Sequence, residues 1–205
     1  NNKACTAQAD PVYQAFPVSD ANITQWQADA LAGGTHTGNY TVGWAGATLG
    51  PKKIVGNLTV GGGGVLTVTG TLWVTGNITL NGGGRIQLAS SYGTNDGVIV
   101  TDGTVAISGG GNATGSGTAG SYLMILSTST STSAISISGG AGAVIAYAQN
   151  GTIAISGGAS LKEATGYRIT IDGGSSITYE SGLSNNNFSS GPSGTWSVST
   201  WKESQ

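Results

Sequence analysis

A short strand pattern that recurs with glycine punctuation constrains this chain more than anything else. Six segments place a spacer between two apolar residues and then turn: Asn57-Leu58-Thr59-Val60-Gly61, Asn77-Ile78-Thr79-Leu80-Asn81-Gly82 and Thr104-Val105-Ala106-Ile107-Ser108-Gly109, then Ala134-Ile135-Ser136-Ile137-Ser138-Gly139, Thr152-Ile153-Ala154-Ile155-Ser156-Gly157 and Arg168-Ile169-Thr170-Ile171-Asp172-Gly173. Aligned on the last apolar residue they fall at 60, 80, 107, 137, 155 and 171, with intervals of 20, 27, 30, 18 and 16 residues. One such unit cannot bury its own apolar face, so the units gain a core only by stacking. The pattern predicts an all-β fold, a right-handed parallel β-helix (β-solenoid) of about six to seven coils of irregular length. The longer intervals hold loop-like stretches, Ser90 to Gly97, Gly109 to Gly120 and Ser127 to Ser133. A coil can bulge outward there without disturbing its stacked strands.

Each coil has a second strand about six residues on: Leu66-Thr67-Val68, Ile86-Gln87-Leu88, Leu161-Lys162-Glu163 and Ile177-Thr178-Tyr179. Because side chains alternate along a strand, Val60, Leu80, Ile107, Ile137, Ile155 and Ile171 are expected to stack inward. Thr59, Thr79, Ala106, Ser136, Ala154 and Thr170 then form an outward row. Asp102-Gly103, Asn150-Gly151 and Asp172-Gly173 read as corner dipeptides that use positive φ. A third set of strands differs: Leu72-Trp73-Val74, Val98-Ile99-Val100, Leu123-Met124-Ile125-Leu126 and Val144-Ile145-Ala146-Tyr147 are apolar on both sides. Such strands are buried on both faces, so a cover is needed over Trp73, Ile99, Met124 and their neighbours, from within the chain or from a partner.

Composition agrees with this reading. Of 205 residues, 37 are glycine, 26 threonine and 24 serine, and only 8% are charged. That is far too little charge for a coiled coil or a charge-rich disordered tail. The net charge of −2 and the lack of any basic stripe argue against nucleic-acid and anionic-membrane partners. No apolar run reaches the length of a membrane span. The lone Cys5 has no partner for an internal disulfide. The polar start Asn1-Asn2-Lys3 carries no leader, and a removed leader or anchor is the expectation.

Open solenoid ends need caps. Residues 19–32 read as a helix with Ser19 as N-cap, Asp20 in the first turn, Gly33-Gly34 as the stop, and Ile23, Trp26, Ala30 and Leu31 on one face. It is expected to seal the N-terminal end or to cover the apolar sheet. The polar stretch from Ser184 to Gly194 reads as loop, and Trp196 to Trp201 as a closing strand. The expected organisation is an N-terminal extension and helix over 1–50, the solenoid over 51–183, and a C-terminal loop and capping strand over 184–205.

Chemistry is sparse. The single histidine, His36, sits in Gly34-Thr35-His36-Thr37-Gly38 with no nucleophile elbow beside it. One His and one Cys make no ordinary zinc site, and no cofactor is expected. Nine acidic residues are scattered, densest around Lys162, Glu163, Arg168, Asp172 and Glu180, which read as solvated surface pairs. The Asn-x-Ser/Thr triplets at Asn57 and Asn77 read as corners rather than glycan acceptors. The outward Thr/Ser row could suit an ice surface, but Ala106 and Ala154 interrupt it.

The stretches Pro17-Val18-Ser19-Asp20-Ala21 to Trp26, Gly38-Asn39-Tyr40-Thr41, Leu49-Gly50-Pro51-Lys52-Lys53-Ile54 and Leu72-Trp73-Val74-Thr75-Gly76-Asn77-Ile78 point to a family, as does Asn187-Phe188-Ser189-Ser190-Gly191-Pro192 with Trp196 and Trp201. Over roughly residues 17–203 the chain resembles the extracellular β-solenoid region of bacterial type IV pilus-associated, minor-pilin-like proteins. The resemblance implies an apolar N-terminal pilin-type helix, which this sequence does not contain, and it implies no catalytic residues. It points to a non-enzymatic surface or adhesion module, whose partners would be other pilus or surface subunits or a surface glycan. The candidate binding residues are Trp73, Ile99, Met124, Tyr92, Tyr122 and Tyr147, as an exposed aromatic and apolar face. The alternatives are a carbohydrate-active β-helix enzyme or glycan-binding module, a bactofilin-like polymer, against which the helix argues, and an ice-binding protein.

Overall fold

The computed structural model describes residues 16–179. Seventeen strands wind into seven tiers, each with three sides. The first tier holds β1 (Thr35–Thr37), β2 (Tyr40–Val42) and β3 (Ala47–Leu49), and the second β4 (Lys52–Val55), β5 (Leu58–Val60) and β6 (Val65–Val68). The third holds β7 (Leu72–Val74), β8 (Ile78–Leu80) and β9 (Arg85–Leu88), and the fourth β10 (Gly97–Thr101), β11 (Val105–Ile107) and β12 (Asn112–Thr114). After β13 (Leu123–Ser127) and β14 (Ile135–Ile137), β15 (Gly142–Ile155) and β16 (Ser160–Ile171) run through their corners and supply sides of the fifth to seventh tiers. The two-residue β17 (Ser176–Ile177) completes the last.

Every pairing between tiers is parallel. On the first face the register runs Val42, Val60, Leu80, Ile107, Ile137, Ile155, Ile171. This is the interior ladder expected from the repeat. Val60 to Ile155 are buried, with a parallel column from Leu58 through Ile78, Val105 and Ile135 to Ile153. Ile171 departs from expectation: it is 53% exposed, because it belongs to the seventh tier, the last that the described residues stack. The fold is a parallel β-solenoid.

Two devices turn the corners. After the first face, paired glycines at 62–63, 82–83, 109–110, 139–140, 157–158 and 173–174 all take positive φ, a region that side-chain-bearing residues enter at a cost. Their backbones bond from tier to tier, as in Gly63 N–H to the Gly82 carbonyl at 2.9 Å and Gly83 N–H to that of Gly109 at 2.9 Å. Before the first face, asparagines stack: Asn39 Oδ1 accepts from Asn57 N–H at 2.9 Å, and Asn57 Oδ1 from Asn77 N–H at 2.8 Å. Asn77 Oδ1 then accepts from Thr104 N–H at 2.8 Å. This is the corner role expected of Asn57 and Asn77. Gly173 has the positive φ expected of it, but Gly103 and Gly151 do not. Gly103 is glycine for another reason: a Cβ there would collide with Asn77 Oδ1 and the Gly76 carbonyl.

The helix α1 (Asp20–Ala32) forms where the sequence placed it. Ser19 Oγ accepts from Asn22 N–H at 3.2 Å and Asn22 Oδ1 accepts from Ser19 N–H at 3.1 Å, a reciprocal cap. Ile23, Trp26 and Ala30 are buried, whereas Leu31 is 48% exposed and falls off the docking face. The helix lies along the third face rather than across an end. Its start is tied to the sixth tier by Gln149 Nε2 donating to Asp20 Oδ1 at 2.8 Å. Its end is tied to the second, where Lys52 Nζ donates to the Gly33 carbonyl at 2.6 Å. Thirteen residues span about 20 Å at 1.5 Å each, and four strand spacings of ~4.8 Å cover nearly the same distance. The helix thus reaches from the second tier to the sixth and covers the apolar strands of the third to sixth.

Stacked strands begin at Thr35, well before the expected boundary at residue 51. The stretch from Gly109 to Gly120, expected as loop, contains β12, which pairs with β9. The expected C-terminal capping strand, the loop before it and Cys5 lie outside the described residues.

Candidate functional site

The third face resolves the six candidate binding residues, and none forms an exposed face. Ile99 points inward, in register with Leu72 and Ile125, and is fully buried. Tyr92 is also part of the interior cluster. Met124, Tyr122 and Tyr147 are buried outside the coil with Val98, Val100, Leu126 and Ile145, beneath Val18, Ile23 and Trp26 of the N-terminal segment and helix. Trp73 is half-buried at the edge of that cluster, with the Lys53 ammonium 3.7 Å from its ring centre. The cover demanded by the doubly apolar strands is supplied by the chain's own helix, so these aromatics are packing rather than a docking surface. Burial pushes the Tyr147 hydroxyl up to about 12; its bond to Val18 opposes the shift and the Asp20 charge adds to it. That hydroxyl accepts from Val18 N–H and donates to the Val18 carbonyl, each at 3.3 Å.

The aromatics most exposed to solvent are others: Trp44 is 88% exposed, Tyr167 78% and Tyr179 63%. Trp44 stands on the first-tier corner between Gly43 and Gly46, a setting in which a tryptophan has no core to enter.

The second face carries a trough. Thr48, Thr67, Gln87 and Thr114 are in register and outward, one per tier. Beside Thr67, Gln87 and Thr114 the excursion Gly115–Ser121 rises as a wall, and the open groove between them has a volume of about 880 Å³. A smaller hollow of about 360 Å³ continues it past Ser160 and Thr178, with Thr114 and Lys162 common to both. The wall is held from within and from below. Ser121 Oγ accepts from Ser116 N–H at 3.0 Å and donates to the Asn95 carbonyl at 2.8 Å. Ser116 Oγ donates to the Gly93 carbonyl at 2.5 Å. The buried carboxylate of Asp96 accepts from Tyr122 N–H at 2.6 Å. Loop composition marked this excursion in the sequence; its position over the threonine column required the register.

Among the described residues the carboxylates do not converge. Asp102 accepts from Trp73 Nε1 at 2.9 Å and from Gln27 Nε2 at 3.2 Å. Asp20 takes Gln149, and Asp172 bonds its own turn at Gly173 N–H. Glu163 accepts from Thr165 Oγ1 at 3.4 Å, and burial raises its carboxyl above the ordinary value against that bond. His36 Nε2 lies 3.4 Å from the Asn39 carbonyl, and its ring meets Tyr40 edge-on at 5.1 Å. Among the described residues no three His, Cys, Asp or Glu side chains gather as a metal site, and no helix is long and apolar enough to cross a membrane.

Compared with known protein families, curated proteins and solved structures, the chain matches none.

Proposed function

We propose that this chain is a non-enzymatic structural and adhesion module of the cell surface, the outward part of a pilus-associated or similar surface protein. The observation that carries this reading is the division of labour among the three faces. The helix occupies the third and locks it, while the first keeps an open in-register column of Thr, Ala and Ser side chains and the second an open polar trough. A continuous parallel ladder makes such a rod stiff, and a stiff rod holds a recognition face at a distance from its attachment.

The distribution of acids supports the non-enzymatic part. Glycoside cleavage uses two carboxyls facing each other across the scissile bond, whereas Asp102, Asp20 and Asp172 are each engaged in holding a helix or a turn. The test is adhesion: fluorescently labelled protein is applied to bacterial cells, abiotic surfaces and a printed glycan array. Retention on any of these with no hydrolysis of bound glycan is the expected result. Release of reducing ends would overturn it.

A further inference from the structure

The trough on the second face is the strongest feature that the helix and core leave unused, and its chemistry selects a ligand class. We propose that it binds a linear neutral glycan, lying along the solenoid axis with its hydroxyls on Thr67, Gln87 and Thr114; this rests on the adhesion reading above and names its ligand.

Three observations lead there. From the second tier to the fourth the floor offers a hydroxyl or a carboxamide, groups that both donate and accept, as a polyol requires. The tiers repeat at ~4.8 Å, a spacing close to the advance of one pyranose along an extended chain, so successive sugars each meet a polar side chain. The wall is already in place: the bonds of Ser116 and Ser121 to the Gly93 and Asn95 carbonyls, and of Asp96 to Tyr122, hold it without a ligand, so little ordering opposes binding.

Other ligands fit less well. A peptide strand needs a free sheet edge, but β9 is bonded to β6 on one side and β12 on the other. An apolar helix needs open pockets, yet Leu88 and Tyr122 in the lining are buried. A polycation needs carboxylates, and Lys162 is the one charged residue among the described residues lining the groove.

The experiment uses the full chain on an array of neutral and acidic linear oligosaccharides, followed by titration calorimetry with the best neutral hexasaccharide. Thr114→Trp, which fills the groove, is expected to abolish binding, and Gln87→Ala to weaken it about tenfold, the loss expected for one or two hydrogen bonds. Thr79→Trp, on the first face, is expected to leave it unchanged. Unfolding midpoints confirm that each variant is folded; should Thr114→Trp not fold, Thr67→Arg takes its place. Binding to no neutral glycan, or binding that survives the groove variants, overturns the proposal. If surface adhesion persists in either of those cases, the adhesion reading stands and only the groove assignment fails; if no surface retains the protein, both fail.

Discussion

Trp73 and Asp102, 29 residues apart in the chain, are joined by an indole N–H to carboxylate bond of 2.9 Å, and the second carboxylate oxygen takes Gln27 from the helix at 3.2 Å. One acid thus links two tiers to α1. Asp102→Ala is expected to lower stability by about 1 kcal/mol and to speed hydrogen exchange in the helix more than in β8. Trp26→Ala, which empties the centre of the helix–sheet contact, is expected to cost about 3–5 kcal/mol. Chemical denaturation measures both.

The interior ladder gives a second contrast. Ile107→Ala opens a cavity between Leu80 and Ile137 and is expected to cost about 2–5 kcal/mol. Its outward neighbour Ala106→Thr is expected to change stability by less than about 0.5 kcal/mol. Equal effects at the two sites in denaturant unfolding would contradict the inward–outward alternation.

Gly110 and Gly103 are glycines for different reasons, and substitutions separate them. At Gly110 φ is 74° and a Cβ would meet open space, so Gly110→Ala is expected to cost about 1 kcal/mol and Gly110→Asn less, since asparagine tolerates that region. At Gly103 the obstacle is the Gly76 backbone and the Asn77 side chain. Both Gly103→Ala and Gly103→Asn are expected to cost more, with no advantage for asparagine. Thermal unfolding of the four variants tests the distinction.

Tyr92 buries a hydroxyl with no hydrogen-bond partner. Tyr92→Phe is expected to leave stability unchanged or raise it by about 1 kcal/mol. Burial pushes this hydroxyl from 10.0 to about 12. The folded value exceeds the unfolded one, so the stability linked to it is complete below pH 10 and is lost as pH rises from 10 to 12. The phenylalanine variant is expected to unfold less readily than the parent at pH 11, relative to the same comparison at pH 8.

Glu163 follows the same sign in the acid range. Its carboxyl is raised, chiefly by burial, so the linked stability is complete below the ordinary glutamate value and falls as pH rises through the folded one. Glu163→Gln is expected to raise the unfolding midpoint at pH 7 and to leave it unchanged or lower at pH 4.

Much of the fold was legible because the repeat is local. Leu80, Ile107, Ile137 and Ile155 each close the same short apolar-x-apolar pattern, and they stack in register. The capped helix was equally plain from Ser19 and Gly33. The first tier is harder to read because Thr35–Thr37 has no apolar residue and Ala47-Thr48-Leu49 pairs a leucine only with an alanine; they are strands by virtue of what they pair with. β12 was missed for the same reason, as Asn112-Ala113-Thr114 has one apolar residue and takes its conformation from β9.

The candidate site was less legible. Apolar strands announce that they are covered, and an amphipathic helix announces that it covers something, but neither names its partner. Amino-acid order alone therefore determined the winding, the inward ladder and the glycine corners, since each depends on residues a few positions apart. Only the tertiary structure decided that the helix lies on Trp73, Met124 and Tyr147, and that the Gly115–Ser121 excursion walls a column of Thr67, Gln87 and Thr114. Those contacts join residues separated by tens of positions, and their geometry follows from how the tiers stack.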